Sequence, residues 1–184
     1  EGLRLLTVWE TTADRVKGGA EAGASDGSRA AALASDFGIP RGAAIYFAVD
    51  YDAQKCDFDT IAAYLNAAKK ELRGTWRVGV YGSYNVIEAM KDAEAADCFW
   101  QCVAWSYRKK SEHRDVYQAR AGLSCAGVSI DENECENMAR AGIWNYDDVF
   151  DEDEDDMNVE RFAELMGEYR KTLQDNDASD WSQS

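Results

Sequence analysis

The sequence predicts an α/β fold with a mainly parallel β-sheet, and three features of the 184-residue chain lead to this prediction. Short β-rich segments alternate with segments of helical periodicity, which is typical of β–α–β units with right-handed crossovers. Residues 45–52 are apolar or aromatic up to a final Asp-Tyr-Asp, the pattern of a parallel strand covered on both faces. Polar residues follow successive predicted strands at their carboxyl ends, where parallel α/β proteins place their chemistry.

The first elements in chain order are a strand over residues 3–9 and a glycine-rich loop. A helix over residues 26–37 has alanines, Leu33 and Phe37 for a buried face. It ends at Gly38-Ile39-Pro40, because proline cannot continue a helix. The strand over residues 45–52 follows. Residues 57–72 then carry apolar side chains at helical spacing.

The later elements are predicted from shorter patterns of the same kinds. They are strands over 77–81, 99–105, 115–118 and 128–130, a helix over 84–95, and a covering segment within 138–144.

The domain organisation is predicted from a change in composition near residue 147. Residues 1–146 form the α/β domain, and residues 147–156, with eight acids in ten positions, form a solvated linker. Residues 157–174 form an amphipathic helix, and residues 175–184 form a polar tail. The apolar stripe of this helix fits docking on the domain, self-association, or the start of a further C-terminal module.

The charge of −15 argues against binding to nucleic acid or to anionic membranes. No apolar run is long enough to span a bilayer, and the chain shows no signal-peptide pattern. Five cysteines without a Cys-x-x-Cys pair, and a single histidine, His113, argue against a disulfide framework and a structural zinc site. We expect free, buried thiols and no metal. Without a phosphate loop or a dinucleotide fingerprint, we also expect no organic cofactor.

The polar residues at the predicted strand ends are the candidate site. Asp50 and Asp52 are two positions apart on one strand, so they point the same way with Cα atoms about 6.5 Å apart. They are the catalytic candidates, because paired carboxylates cleave glycosidic bonds. The substrate-binding candidates are Glu10, Tyr81, Trp105, Gln118 and Asp131. Each residue also has a structural interpretation, as a helix cap, a solvated turn residue or a core side chain.

An ordered set of short motifs resembles a known family. The set is Gly38-Ile39-Pro40, the strand over 45–52, Val78-Gly79-Val80-Tyr81-Gly82-Ser83, Trp100-Gln101 with Trp105-Ser106, Val116-Tyr117-Gln118, and Ile130-Asp131-Glu132-Asn133. Together they resemble the glycoside-hydrolase-like TIM-barrel domain of unknown function related to family 25 lysozymes, the N-acetylmuramidases. The resemblance implies a (β/α) TIM-barrel-like domain that lacks the first two β/α units, with peptidoglycan as substrate.

The resemblance also implies roles for individual residues. Asp52 takes the place of the glutamate that acts as general acid in the lysozymes, and Asp131 takes the place of a late-strand aspartate. The shorter Asp52 side chain and the missing first strand are departures from the lysozyme pattern.

The leading hypothesis is a glycosidase-like domain acting on bacterial cell-wall peptidoglycan or a related glycan. The alternatives are a non-catalytic glycan-binding module on the same barrel, and a scaffold domain of a surface or phage protein. The resemblance implies a secreted, cell-wall-associated or phage-borne protein.

Overall fold

The computed structural model describes residues 4–145, which form an α/β fold around a curled, six-stranded half-barrel sheet. The predicted linker, amphipathic helix and polar tail lie outside the described residues. The elements are β1 (Arg4–Leu5), β2 (Thr7–Trp9), α1 (Gly19–Asp36), β3 (Ala44–Ala48), α2 (Phe58–Leu72), β4 (Arg77–Gly82), α3 (Tyr84–Asp92), β5 (Cys98–Cys102), β6 (Val116–Cys125), β7 (Val128–Cys135), α4 (Met138–Ala141) and β8 (Trp144–Asn145).

The sheet follows the order of the chain, β2-β3-β4-β5-β6-β7. Strands β2 to β6 are parallel, which confirms the predicted parallel sheet. The sixth strand departs from the prediction, since β7 runs antiparallel to β6 and the two form a hairpin. The predicted first strand is also divided: β2 belongs to the main sheet, whereas β1 pairs with β8 in a separate two-stranded sheet. Within residues 4–145, no helix is both long and apolar enough to cross a bilayer.

The two faces of the sheet have different environments because strand side chains alternate. On one face, Ile45, Phe47 and Val49 of the central segment are buried among the residues that α1, α2 and α3 contribute to the main core. On the other face, Tyr46 is fully buried in a smaller cluster with Ala44 and Cys98. The central strand is therefore covered on both sides, as its apolar pattern predicts.

The prediction for the start of α1 is wrong by seven residues, since the helix begins at Gly19 inside the expected glycine-rich loop. Two of these glycines permit close packing of α1 on α2. A Cβ atom at Gly23 would lie 2.1 Å from the backbone oxygen of Tyr64, and one at Gly27 would lie 2.7 Å from the Cα atom of Ala68. The glycines therefore act as helix-contact residues, and packing against α2 offsets their low helix propensity.

A buried carboxylate also joins these two helices. Asp26 of α1 has no exposed surface and accepts two hydrogen bonds from the Arg15 guanidinium, at 2.9 and 3.0 Å. It also accepts a hydrogen bond of 2.6 Å from the Tyr64 hydroxyl of α2. Burial and the hydrogen bond to Asp26 raise the pKa of the Tyr64 hydroxyl, which stays protonated as a donor. The ion pair compensates the burial of Asp26.

Helix α4 closes the amino end of the half-barrel. The buried Tyr46 hydroxyl donates a hydrogen bond of 2.8 Å to the Ala141 carbonyl. From β4, the Arg77 guanidinium donates to the carbonyls of Ala139 and Arg140 at 2.8 and 3.0 Å. These bonds satisfy carbonyls at the carboxyl end of the short helix. Helix α4 therefore packs against the start of β4 and the Tyr46 side chain of β3.

Candidate functional site

A cleft of about 270 Å³ lies at the carboxyl end of the sheet, on the face opposite the main core. All six strands, or the residues immediately after them, contribute to it. Its lining residues are Val8, Glu10, Asp50, Tyr81, Trp100, Gln118, Asp131 and Asn133. Five of the seven site residues predicted from the sequence therefore lie together in one cleft.

Two carboxylates, Glu10 and Asp50, follow the neighbouring parallel strands β2 and β3 into this cleft. The backbone holds the second of them in place, because the Asp50 amide donates a hydrogen bond of 3.0 Å to the Ala13 carbonyl. The pKa of Glu10 is raised above its ordinary value, first by loss of hydration and then by the charge of Asp50. Glu10 is solvent-exposed as a whole residue, but its carboxylate has lost part of its hydration and lies near the negative charge of Asp50. Both effects favour the protonated form of Glu10.

A chain of side-chain hydrogen bonds crosses the cleft from β4 to β7. The Tyr81 hydroxyl donates to Gln118 Oε1 at 2.9 Å, and Gln118 Nε2 donates to Asp131 Oδ2 at 2.6 Å. Asp131 Oδ1 accepts a further bond of 2.8 Å from the Gly122 amide, at a point where β6 is irregular. Both carboxylate oxygens of Asp131 therefore already have protein donors. The arrangement fixes the orientation of the Gln118 amide.

An aromatic wall completes the cleft. The Trp100 ring on β5 meets the Tyr81 ring edge-on, with centroids 5.0 Å apart, and meets the Tyr46 ring edge-on at 5.8 Å. Trp100 Nε1 donates a hydrogen bond of 2.9 Å to Asn133 Oδ1. Such a wall presents apolar ring surface next to polar groups, which is the usual composition of a ligand pocket. The sequence-based site prediction omitted Trp100, Asn133 and Val8.

The Tyr81 hydroxyl and the Cys102 thiol are uncharged near neutral pH. Burial raises the pKa of the Tyr81 hydroxyl, and the charge of Asp50 adds to this effect. Burial also raises the pKa of the Cys102 thiol to about 11. Near neutral pH, Tyr81 is therefore a hydrogen-bond donor rather than a phenolate. Cys102 is a buried thiol rather than a nucleophilic thiolate.

Two residues that the sequence predicted for the site, Asp52 and Trp105, lie outside the cleft. Asp52 is exposed on the loop after β3 and does not line the cleft; its carbonyl accepts a hydrogen bond from the Gln54 side chain. Trp105 lies three residues beyond the end of β5, in a turn, and does not line the cleft either. The predicted strand over residues 99–105 is too long, since β5 ends at Cys102.

The described residues contain no group of three or more His, Cys, Asp or Glu side chains arranged to hold a metal ion. All five cysteines are free thiols. Cys98 and Cys102 are buried, as expected from the sequence, whereas Cys56 and Cys125 are exposed.

Comparison with known proteins shows the family of this chain. The model of the Rv2525c-like, glycoside hydrolase-like domain matches residues 1–135, which is most of the chain. The chain belongs to this family. The Rv2525c-like assignment agrees with the glycoside-hydrolase-like domain expected from the sequence motifs. No curated protein shows significant sequence similarity to the chain.

Two solved structures share the fold of this Rv2525c-like domain. Both are crystal structures of the Tat-secreted protein Rv2525c of Mycobacterium tuberculosis, one in complex with L-tartrate and the other with HEPES. The first is 22% identical, with a TM-score of 0.68, over 77% of this chain and 72% of the other. The second is 23% identical, with a TM-score of 0.65, over 77% and 71%. At this identity the comparison shows the fold alone.

The family indicates a glycan-related function. The cleft offers two carboxylates on one side, an amide fixed by hydrogen bonds on the other, and an aromatic wall between them. Carboxylates are suited to proton transfer, amides bind sugar hydroxyls, and ring faces and edges contact the apolar surface of a pyranose.

Proposed function

We propose that this domain is a glycosidase-like domain that hydrolyses bacterial cell-wall peptidoglycan or a related glycan, with Glu10 and Asp50 as its catalytic carboxylates. The observation that carries the proposal is the presence of both carboxylates in one cleft, where burial and then the charge of Asp50 raise the pKa of Glu10. Most glycoside hydrolases cleave their substrate with a pair of carboxyl groups, one of which is a general acid with a raised pKa.

Glu10 is the proposed general acid. Its raised pKa favours a bound proton, which it would deliver to the oxygen of the departing sugar. Asp50 is the proposed second carboxylate, which stabilises the positive charge that develops at the anomeric carbon as the glycosidic bond breaks. A water molecule then adds to that carbon, and the proton that it releases restores the acid form of Glu10. This assignment keeps Asp50 from the sequence-based pair and replaces Asp52 with Glu10.

The remaining cleft residues would hold the sugar. Trp100 and Tyr81 offer aromatic surface, and the Gln118 amide and the Asn133 side chain offer hydrogen-bonding groups. Asp131 would act through Gln118, because donors from the protein occupy both of its oxygens.

Peptidoglycan as substrate and a relationship to family 25 lysozymes rest on the ordered sequence motifs. The half-barrel supports this relationship, since a sheet that corresponds to the later strands of a TIM barrel would keep the carboxyl-end site. Export also forms part of the proposal, because Rv2525c, which shares the fold, is Tat-secreted.

The test is release of reducing ends from purified peptidoglycan and from soluble glycan fragments. We expect Glu10→Gln and Asp50→Asn to lower the rate at least about 100-fold, the range for loss of a positioned acid or base. The matched control is Asp52→Asn, which removes an exposed carboxylate at the same end of the sheet but outside the cleft.

The outcomes separate the proposal from its rivals. Full activity in Glu10→Gln and Asp50→Asn would refute the assignment. Loss of activity in both Asp50→Asn and Asp52→Asn, with Glu10→Gln fully active, would restore the sequence-based pair. Binding without release by the unmodified chain would identify a glycan-binding module. Absence of both binding and release would favour a scaffold domain.

A further inference from the structure

The β6–β7 hairpin extends beyond the rest of the sheet at the end where the cleft lies. Strand β6 pairs with β5 only from Val116 to Gln118, and it then continues to Cys125. At about 3.3 Å per residue, the further stretch 119–125 has a length of roughly 20 Å. Because β5 and β6 are parallel, this stretch leaves the sheet at its carboxyl end, beside the mouth of the cleft. Residues 119–132 form this projecting arm.

The base of the arm is fastened to a cleft residue. Asp131 accepts a hydrogen bond of 2.8 Å from the Gly122 amide with one carboxylate oxygen and one of 2.6 Å from the Gln118 side chain with the other. Gly122 has a φ of 69°, in the left-handed region that other residues rarely adopt. Arg120 and Glu132 form an ion pair across the two strands. The direction of the arm is therefore set by the same carboxylate that lines the cleft.

One face of the arm continues the lining of the cleft. Asp131 and Asn133 line the cleft from β7, and side chains two apart on a strand point the same way, so Ser129 lies on that face too. Ser124 is directly opposite Ser129 on β6 and therefore shares its face. Both serines are exposed. Two free hydroxyl groups thus follow Asp131 along the arm, away from the cleft.

The composition of the arm suits a neutral sugar chain. Residues 121–130 include no charged side chain, although 30% of the whole chain is charged. The serine hydroxyls donate and accept hydrogen bonds, as the hydroxyls of a sugar do. The apolar side chains of this stretch, which form the cross-strand pairs Leu123–Ile130 and Cys125–Val128, lie on the opposite face. The cleft-side face therefore offers polar contacts without a charge that would select an ionic ligand.

We propose that the cleft-side face of the arm binds the sugars that adjoin the one in the cleft, which makes the substrate a polymeric glycan with a neutral backbone. The inference rests on the proposed glycan function and names its substrate class. The size of the cleft supports it, because about 270 Å³ is below the range of about 300–1,000 Å³ that encloses a drug-sized ligand. An oligosaccharide held there extends past the cleft mouth, and the arm is continuous with the cleft wall through Asp131.

One test variant shortens the arm and keeps its base. Residues 124–129 are replaced by Asn-Gly, which connects Leu123 to Ile130, two residues that already lie opposite each other. The present turn residues, Ala126 and Gly127, have φ values of 49° and 82°, both positive as in a type I′ turn. Asn-Gly is a preferred sequence for that turn. The variant therefore retains the strand register below the turn and removes both serines.

Two further variants separate the faces of the arm. Ser124→Ala/Ser129→Ala removes the two hydroxyls from the cleft-side face and leaves the length of the arm unchanged. Val128→Ser is the matched control on the opposite face, at a side chain that is 62% exposed. The full chain is used throughout. The probes are N-acetylglucosamine oligomers of two and six units, titrated by calorimetry, and release of reducing ends from the hexamer is measured in parallel.

We expect the hexamer to bind the unmodified chain more tightly than the dimer does. The shortened arm should lower the affinity for the hexamer about five- to tenfold, the effect of one or two lost hydrogen bonds, and leave the affinity for the dimer unchanged. The serine variant should show part of this loss, and Val128→Ser should show none. A loss confined to the longer probe identifies contact with distant sugars, since damage to the cleft would weaken both probes.

Three results would overturn the inference: equal binding of the hexamer to the shortened and the unmodified chain, an equal loss for both probes, or no binding of either. A loss in Val128→Ser as large as in the serine variant would also contradict it. Arm-dependent binding of the hexamer without release of reducing ends would refute the proposed hydrolysis and leave the arm as a binding surface. Release that does not depend on the arm would refute the arm and leave the proposed hydrolysis.

Discussion

The Gln118 amide bridges the Tyr81 hydroxyl and the Asp131 carboxylate, with hydrogen bonds of 2.9 and 2.6 Å. The bridge spans β4, β6 and β7, so it joins the parallel part of the sheet to the antiparallel hairpin. Because Asp131 accepts and Tyr81 donates, only one orientation of the Gln118 amide satisfies both partners. The cleft therefore presents a fixed pattern of polar groups before any ligand arrives.

We expect Gln118→Met to lower the free energy of unfolding by about 1–2 kcal/mol, since it leaves the Tyr81 hydroxyl and one Asp131 oxygen without partners. Tyr81→Phe removes a single donor and should cost less. The double variant should cost about 0.5–1 kcal/mol less than the sum of the two, because both changes break the same bond. Urea unfolding of the four proteins measures this coupling, and strict additivity would show that the bond contributes nothing.

The titration of Glu10 should depend on Asp50 and not on Asp52. Burial and the Asp50 charge both raise the pKa of Glu10, so Asp50→Asn should lower that pKa, and burial should still keep it above the ordinary value. The measurement is an NMR titration of the Glu10 side-chain carboxyl carbon. Asp52→Asn is the matched control. An unchanged Glu10 pKa in Asp50→Asn would mean that the two carboxylates do not interact.

The same shift gives a sign for the pH dependence of stability. A carboxyl group whose pKa is raised by folding makes its contribution in full below its unfolded-state pKa, and loses it as pH rises through the raised, folded-state value. The difference in stability between Glu10→Gln and the unmodified protein should therefore change in the mildly acidic range, with Glu10→Gln relatively more stable at the higher pH. Urea unfolding across this pH range measures it.

The contact between α1 and α2 gives a prediction about stability alone. Gly23→Ala should lower the free energy of unfolding by about 1–3 kcal/mol, because its Cβ atom would lie 2.1 Å from the Tyr64 carbonyl oxygen and the helices would have to separate. The matched control is Ser28→Ala at an exposed position of the same helix, which should be neutral or slightly stabilising. A neutral or stabilising Gly23→Ala would mean that the close approach of the helices does not constrain the fold.

The sequence predicted the helices and parallel strands where local periodicity and tertiary packing agree, as in α2, expected over 57–72 and found at Phe58–Leu72. It failed at the start of α1, because the glycines that permit contact with α2 have low helix propensity and resemble a loop. The antiparallel β7 was also missed. Strand direction depends on the tight turn at residues 126–127, whereas the apolar pattern of a strand is the same in either direction.

The location of the candidate site was predicted better than the residues that form it. Glu10, Asp50 and Tyr81 lie at or just beyond the ends of parallel strands, so the strand-end rule placed them together. Asp52 was expected beside Asp50 on the assumption that the strand continues to residue 52, but β3 ends at Ala48 and the backbone then turns. Trp100 was missed because it lies within its strand, where an aromatic residue is hard to distinguish from a core side chain by sequence alone.

Trp100 and Trp105 provide the last prediction, since the sequence favoured the second and the cleft contains the first. We expect Trp100→Ala to weaken binding of a short neutral glycan fragment about tenfold or more, through loss of the aromatic wall and of the bond to Asn133. Trp100→Phe should retain part of the affinity, because it keeps a ring but not the Nε1 donor. Trp105→Phe is the matched control and should bind the same fragment as the unmodified protein does, since its side chain lies outside the cleft. Calorimetric titration of the variants decides between the two residues, and a larger loss at Trp105 than at Trp100 would place the sugar on the β5–β6 loop rather than in the cleft.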